Sequence, residues 1–212
     1  MIWYDHSKDV PPGYHAILGA SKYAWLNYDY DKMFAYLQSS YANTIGTLIH
    51  ELAAKLIKNK IKVGKNDARK MIMLHLLDNK VPRAVIDIER YLPNFVAYVN
   101  DAIGFDMRPE QVLKYSENAF GTADAIQFNE KKGFLRIHDY KSGVTQPSLH
   151  QLEIYAALFC LEYKIAPKDI STELRIYWSS ELITGLPTAA DIVPVMDQII
   201  TLDNYLKSIK EG

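Results

Sequence analysis

Asp139 and Lys141 stand two residues apart in His138-Asp139-Tyr140-Lys141, at the end of a stretch from Phe134 to Tyr140 that reads as a strand. Alternation along a strand points both side chains to one face, so a carboxylate and an ammonium share one site. Asp124 lies between the small residues Ala123 and Ala125 in the strand-like segment Ala123 to Phe128. Asn129-Glu130-Lys131-Lys132-Gly133 joins the two segments as a hairpin connection. Paired across that hairpin, Asp124 and Asp139 offer the oxygen ligands that a hard divalent cation prefers. The plainer reading is a salt bridge in which Lys141 neutralises one aspartate on a partly exposed sheet face. Context separates the two readings: Ser142-Gly143 follows directly, and then a helix carrying Gln151 and Tyr155, neighbours at i and i+4.

Those residues need elements to hold them. After the turn-like Pro11-Pro12-Gly13, the segment from Ser21 to Leu37 has helical spacing with Ser21 as its N-cap. From Ala42 to Ile61 the positions Ile45, Leu48, Ile49, Leu52, Ala53, Leu56 and Ile57 recur at three- and four-residue steps, a helix buried along one face. Asp67 to Leu77 and Val85 to Ile103 read as further helices, the second starting just after Pro82. The texture changes after Pro109: Val112 to Tyr115, Ala123 to Phe128 and Phe134 to Tyr140 predict three antiparallel strands. Ser148 to Leu161 returns to helix, Leu174 to Trp178 is a buried strand, and Ala189 to Ile209 is a closing helix. The fold class is therefore α/β with an α+β character, a central mixed β-sheet flanked by helices. One domain is expected over residues 1–212, helical to about residue 105 and sheet-based from about 106.

Composition sets limits. With 212 residues, about half of them apolar at 49%, the chain can bury one substantial core, and its formal net charge of -1 announces no partner by itself. Cys160, the single cysteine, lies in the apolar run Tyr155 to Leu161, which excludes an intrachain disulfide or a cysteine metal cage. No run approaches the roughly 18 apolar residues of a membrane span, and the N-terminus lacks a secretory apolar stretch. A cytoplasmic location without membrane association is expected.

Four pieces in order carry a resemblance: Gly46-Thr47-Leu48-Ile49-His50-Glu51 on a helix, Gly121-Thr122-Ala123-Asp124, Asp139-Tyr140-Lys141-Ser142-Gly143, and Gln151-Leu152-Glu153-Ile154-Tyr155. Together they resemble the PD-(D/E)XK nuclease superfamily, specifically its RecB-like branch with the phage-type exonucleases, over roughly residues 44–180. The resemblance implies a restriction-endonuclease-like core and a magnesium- or manganese-dependent DNA nuclease of recombination and repair. In it His50, Asp124, Asp139 and the backbone carbonyl of Tyr140 hold the metal, and Lys141 lies beside the attacked phosphate. Gln151 and Tyr155 position the water, the lysine or the strand being cut. Imidazole suits manganese better than magnesium. Glu51, about 100 degrees from His50 around the helix, reads as a solvated charge or a residue supporting the ligands, and His138 and Tyr140 face away from Asp139 into packing or hydrogen bonding.

Between Lys55 and Lys70 the bases, Lys58, Lys60, Lys62 and Lys65 among them, outnumber the single acid Asp67, so this stretch either grips DNA phosphates or forms a solvated helix end. Ser21, Lys22, Tyr23 and Trp25 read equally as core or as base-stacking residues. Many RecB-like relatives carry several cysteines around an iron–sulfur cluster; one cysteine cannot hold it, and no helicase phosphate loop is present. A stand-alone phage-type exonuclease is the expectation, with a structure-specific or nicking endonuclease, or a DNA-binding protein with a degenerate site, as alternatives. Its implied partners are DNA, a single-strand annealing or other phage recombination protein, and further copies of the chain in a homo-oligomer.

Overall fold

The stripe from Ile45 to Ile57 is buried along one side of helix α1, Tyr30–Lys58, and Ile49 at its centre is fully enclosed. The computed structural model describes Tyr4, Lys8, Asp9 and residues 16–211, so the turn expected at Pro11-Pro12-Gly13 lies outside the described residues. The break expected between Leu37 and Ala42 is absent, because neither glycine nor proline interrupts Gln38 to Tyr41. Ser21 is not a helix cap: Ala20–Asn27 forms 3-10 turns kinked at Lys22. The cap is Asp29, whose Oδ1 accepts the Lys32 N–H at 2.8 Å and satisfies a first-turn donor. Ser21, Lys22 and Tyr23 are exposed and Trp25 half-buried, so this stretch is not core.

Two compact units, Met1–Asn43 and Thr44–Gly212, divide the chain. The division falls inside α1. In the second unit α2 (Lys65–Asp78) and α3 (Ile88–Gly104) precede the sheet. A short 3-10 turn, Arg83–Val85, follows Pro82, and α3 begins only at Ile88.

The sheet is mixed and five-stranded, in the order β1 (Arg108–Lys114), β2 (Phe120–Asn129), β3 (Phe134–Lys141), β4 (Ser171–Trp178) and β5 (Glu181–Gly185). Neighbours are antiparallel except β3 and β4, which run parallel and are joined through α4, His150–Tyr163. A parallel pair requires such a crossover. Pro109 is tolerated because β1 is an edge strand. Strand β5 is an addition to the expected elements; its hairpin turns through Ser179 at φ 54, without the Asn-Gly signal that usually marks such turns. Between β2 and β3 the chain turns through Gly133 at φ 56, with the Asn129 side chain accepting the Lys132 N–H. Among the described residues no helix is long and apolar enough to cross a membrane.

Alternation gives β3 two environments. Leu135 and Ile137 join Leu174 and Ile176 of β4 under α4 and the closing helix α5, Ala189–Glu211, where Leu152, Ala156, Cys160 and Ile192 complete the core. Burial raises the Cys160 thiol to about 11, as expected of an inert core cysteine. On the other side, Tyr140 and Tyr177 pack edge-on or tilted against Phe95 and Tyr98 of α3, with ring centroids 5.5–6.2 Å apart.

His138 belongs to that second face, fully buried, its ring against Phe105 and Tyr177. Burial, then the positive charges of Arg175 and Arg136, drives its pKa down to about 2, with Glu173 and Asp101 pairing the same arginines. An unfolded histidine takes up a proton below about pH 6.5 that the folded one refuses, so its contribution to stability is lost as pH falls through that window, at about 1.4 kcal/mol per unit. The melting temperature of the wild type should therefore drop more steeply between pH 7 and pH 5 than that of His138→Gln; parallel curves would assign the acid sensitivity to other groups.

Candidate active site

The register of the sheet puts three carboxylates in one row. Pro109 opposes Ala125 and Gln111 opposes Ala123, which leaves Glu110 level with Asp124; Ala125 opposes His138, and the register carried one residue past that last pair sets Asp124 level with Asp139. At that pair the ladder between β2 and β3 gives way to a side chain, since the Tyr140 N–H donates to Asp124 Oδ2 at 3.0 Å. His50 of α1 approaches the same oxygen, Nδ1 to Oδ2 3.1 Å, with its ring edge-on to Tyr140. Single ligand atoms from His50, Glu110 and Asp124 lie within 4.8 Å of one another, the one such cluster among the described residues.

Glu110 was not singled out from the sequence. Its strand was expected to start at Val112, with Pro109 read as the break before it, so the carboxylate was never placed opposite Asp124. Extending the antiparallel register two residues toward the proline is the signal that finds it. Its backbone sits at φ 50, a region that costs a non-glycine residue roughly 1–3 kcal/mol and that gathers at functional sites.

Asp139 is 1% exposed, and among the described residues its carboxylate oxygens meet one cation, Lys141, and no other donor. Lys141 Nζ is 3.1 Å from Oδ2, close enough for ion pairing though not aligned as a hydrogen bond. Burial, reinforced by the charge of Asp124 and opposed by Lys141 and His50, holds the Asp139 pKa well above the usual carboxylate range. Glu110 is also raised, first by burial and then by Asp124. Burial pulls His50 down, but its hydrogen bond to Asp124 and the charges of Asp124, Asp139 and Glu110 outweigh that and leave it above its ordinary value. Packed carboxylates with shifted pKa values and an orphaned buried oxygen suit a divalent cation, and the oxygen-and-imidazole donor set fits magnesium or manganese.

From Lys141 a hydrogen-bond chain runs outward, Nζ to Gln151 Oε1 at 2.8 Å and Gln151 Nε2 to the Tyr155 hydroxyl at 2.9 Å. Both partners sit one helical turn apart on α4. Two glycines make room for this arrangement. A Cβ on Gly121 would come within 2.8 Å of Tyr155 Cε1, and one on Gly46 within 3.3 Å of Ser142 Oγ. His50, Asp124, Asp139, Lys141, Gln151 and Tyr155 thus form one connected neighbourhood. Glu51 is exposed, and the Tyr140 hydroxyl points away to donate to the Tyr91 carbonyl at 3.1 Å. Of the basic stretch, Lys60 is engaged by Asp106 at 2.7 Å, whereas Lys58, Lys62 and Lys65 are exposed without an ion-pair partner among the described residues.

Residues 15–165 match the family described as "Protein of unknown function (DUF2800)". The chain belongs to that family. The DUF2800 match takes in every member of the cluster, from His50 through Glu110, Asp124, Asp139 and Lys141 to Tyr155, and stops before β4. No curated protein and no solved structure matches the chain.

Glu110 gives this cluster a sign-based test. Neutralising it removes repulsion against Asp124 in the metal-free protein yet deletes an oxygen donor. Glu110→Gln should hold or raise the melting temperature without metal while lowering manganese affinity in calorimetry by about tenfold or more, the scale of losing a metal-supporting group. Unchanged manganese affinity would remove Glu110 from the donor set.

Proposed function

We propose that the chain is a divalent-metal-dependent deoxyribonuclease with a PD-(D/E)XK, RecB-like site, acting as a phage-type recombination or repair exonuclease on DNA. The observation that carries this reading is the buried Asp139 carboxylate, which among the described residues has Lys141 as its single polar partner and stands in a row with Asp124 and Glu110. A purely structural salt bridge leaves such a group unexplained, because a buried charge that lacks full hydrogen bonding costs several kcal/mol. His50, Glu110, Asp124 and Asp139 would hold magnesium or manganese. When bound, that ion supplies Lewis-acid polarisation of the phosphate and lowers the pKa of a bound water.

The chain's own residues do the rest. Asp124 takes its position from two fixed contacts, with His50 and with the Tyr140 N–H, so it reorganises little when substrate arrives. Lys141 is held by Gln151, and Gln151 by Tyr155, which points the ammonium at the place where negative charge grows on phosphorus oxygens. A preorganised cation in a partly dry site offsets that charge far better than solvent does. The apolar floor under α4 excludes water from the back of the site.

Metal binding and chemistry separate in two variants. Asp139→Asn should lose both manganese affinity and cleavage of linear DNA, because it removes a charged donor. Lys141→Ala should keep manganese affinity at or above wild type, since a repelling cation is gone, yet cut at least about a hundredfold more slowly. Wild-type cutting by Lys141→Ala, or normal manganese binding by Asp139→Asn, would return the pair to a structural salt bridge. Comparing linear with covalently closed circular DNA then separates exonuclease from endonuclease action.

A further inference from the structure

A cavity of about 390 Å³ opens beside Lys141, between the Ser142-Gly143 turn and the β4–β5 turn at Trp178-Ser179-Ser180. Both walls are anchored to one helix. Arg90 of α3 donates from Nε and Nη2 to the Ser142 carbonyl at 3.1 and 2.9 Å. One turn later Asn94, a buried polar residue, donates to the carbonyls of Ser179 and Glu181. The walls are also tied to each other, Trp178 Nε1 donating to the Gly143 carbonyl at 2.9 Å. Ser179 holds φ 54 without being glycine, a cost that the Asn94 bond offsets.

The lining is cationic and hydroxyl-rich. Arg90 and Lys141 both border the space, while the acid of Glu89 is already paired with Arg69. Arg90 Nη1 and the hydroxyls of Ser179 and Ser180 have no partner among the described residues. A volume near the lower end of small-ligand pockets fits one nucleotide and not a base pair. A guanidinium beside free hydroxyls matches a phosphate carrying a sugar and base.

We propose that this cavity receives the nucleotide adjoining the scissile phosphate, with Arg90 pairing to the phosphate of that nucleotide. The proposal rests on the nuclease reading and adds a substrate subsite to it. Arg90 has two tasks, fixing the turn that follows Lys141 and presenting its outer edge to the substrate. The nucleotide in the cavity is unpaired, so the strand enters single-stranded or frayed at this point.

Ser180 tests this without touching Lys141 or the carboxylate row, because it is exposed in the β4–β5 turn and lines the cavity. Ser180→Tyr narrows the space. With magnesium or manganese and a single-stranded oligonucleotide, its KM should rise about tenfold, equal to about 1.4 kcal/mol of binding, with kcat within about twofold of wild type. Calorimetry with the dinucleotide pdTpdT should show the same loss of affinity. If the wild type cuts DNA and Ser180→Tyr has an unchanged KM, the subsite is wrong and the nuclease reading stands. A lower kcat at unchanged KM means that the substitution has reached Lys141, and it also counts against the subsite. If the wild type cuts no DNA, the nuclease reading fails and pdTpdT decides alone: binding that Ser180→Tyr weakens keeps a nucleotide site here, and absent or unaltered binding overturns it.

Discussion

The Asp124 carboxylate ties together three stretches far apart in sequence. One oxygen lies 3.1 Å from His50 of α1 and accepts the Tyr140 N–H of β3 at 3.0 Å, while Asp124 itself belongs to β2. The second contact takes the place of a backbone ladder bond, so β2 and β3 separate where the chemistry-bearing side chains begin. An apolar residue at this position would leave the Tyr140 N–H without its acceptor and His50 without the charge that raises its pKa. An unsatisfied buried donor costs about 1–3 kcal/mol, a large share of the stability of any domain. Fold and site therefore depend on the same atom.

The charge balance around it is incomplete. Glu110, Asp124 and Asp139 face His50 and Lys141, and the upward shifts of Glu110 and Asp139 register what burial and mutual repulsion cost. Such an arrangement persists only where packing over-determines it. Here the determinants are Ile137 and Ile176 on either side of Asp139, with Leu152 and Ala156 of α4 above them. The apolar core places Asp139 and denies it the water that would relax it, whereas Glu110 at the edge strand is exposed and Asp124 half-buried.

Much of this was legible in the chain, for physical reasons that differ by element. Asp139 and Lys141 share a face because strand alternation admits no other outcome, and the α4 pair Gln151 and Tyr155 follows from helical spacing. The buried stripe of α1 stood out because seven apolar residues recur at core-facing steps. Less visible were features that break local rules. Glu110 adopts a backbone conformation rare for its type and follows a proline, β5 turns through serines, and α1 runs on where two helices were expected because nothing stops it. The division at Asn43 was hidden because it falls inside that unbroken helix. The roles of Gly46 and Gly121 needed the third dimension: their lack of a side chain is meaningful only beside Ser142 and Tyr155.

Strand β3 carries both core residues and the ionic cluster. Its odd-numbered residues run from the α4 core, Leu135 and Ile137, to Asp139 and Lys141, so the same face changes from apolar to ionic within four residues. The even-numbered face stays packed throughout, with His138 and Tyr140 wedged among aromatic rings, and the Tyr140 hydroxyl anchored on Tyr91. Helix α3 thus fixes β3 from behind while its Arg90 and Asn94 reach around the end of the sheet to hold the two turns in front. A shift of α3 would move the back wall and both front walls together. That coupling ties the turn after Lys141 and the neighbouring cavity to one helix.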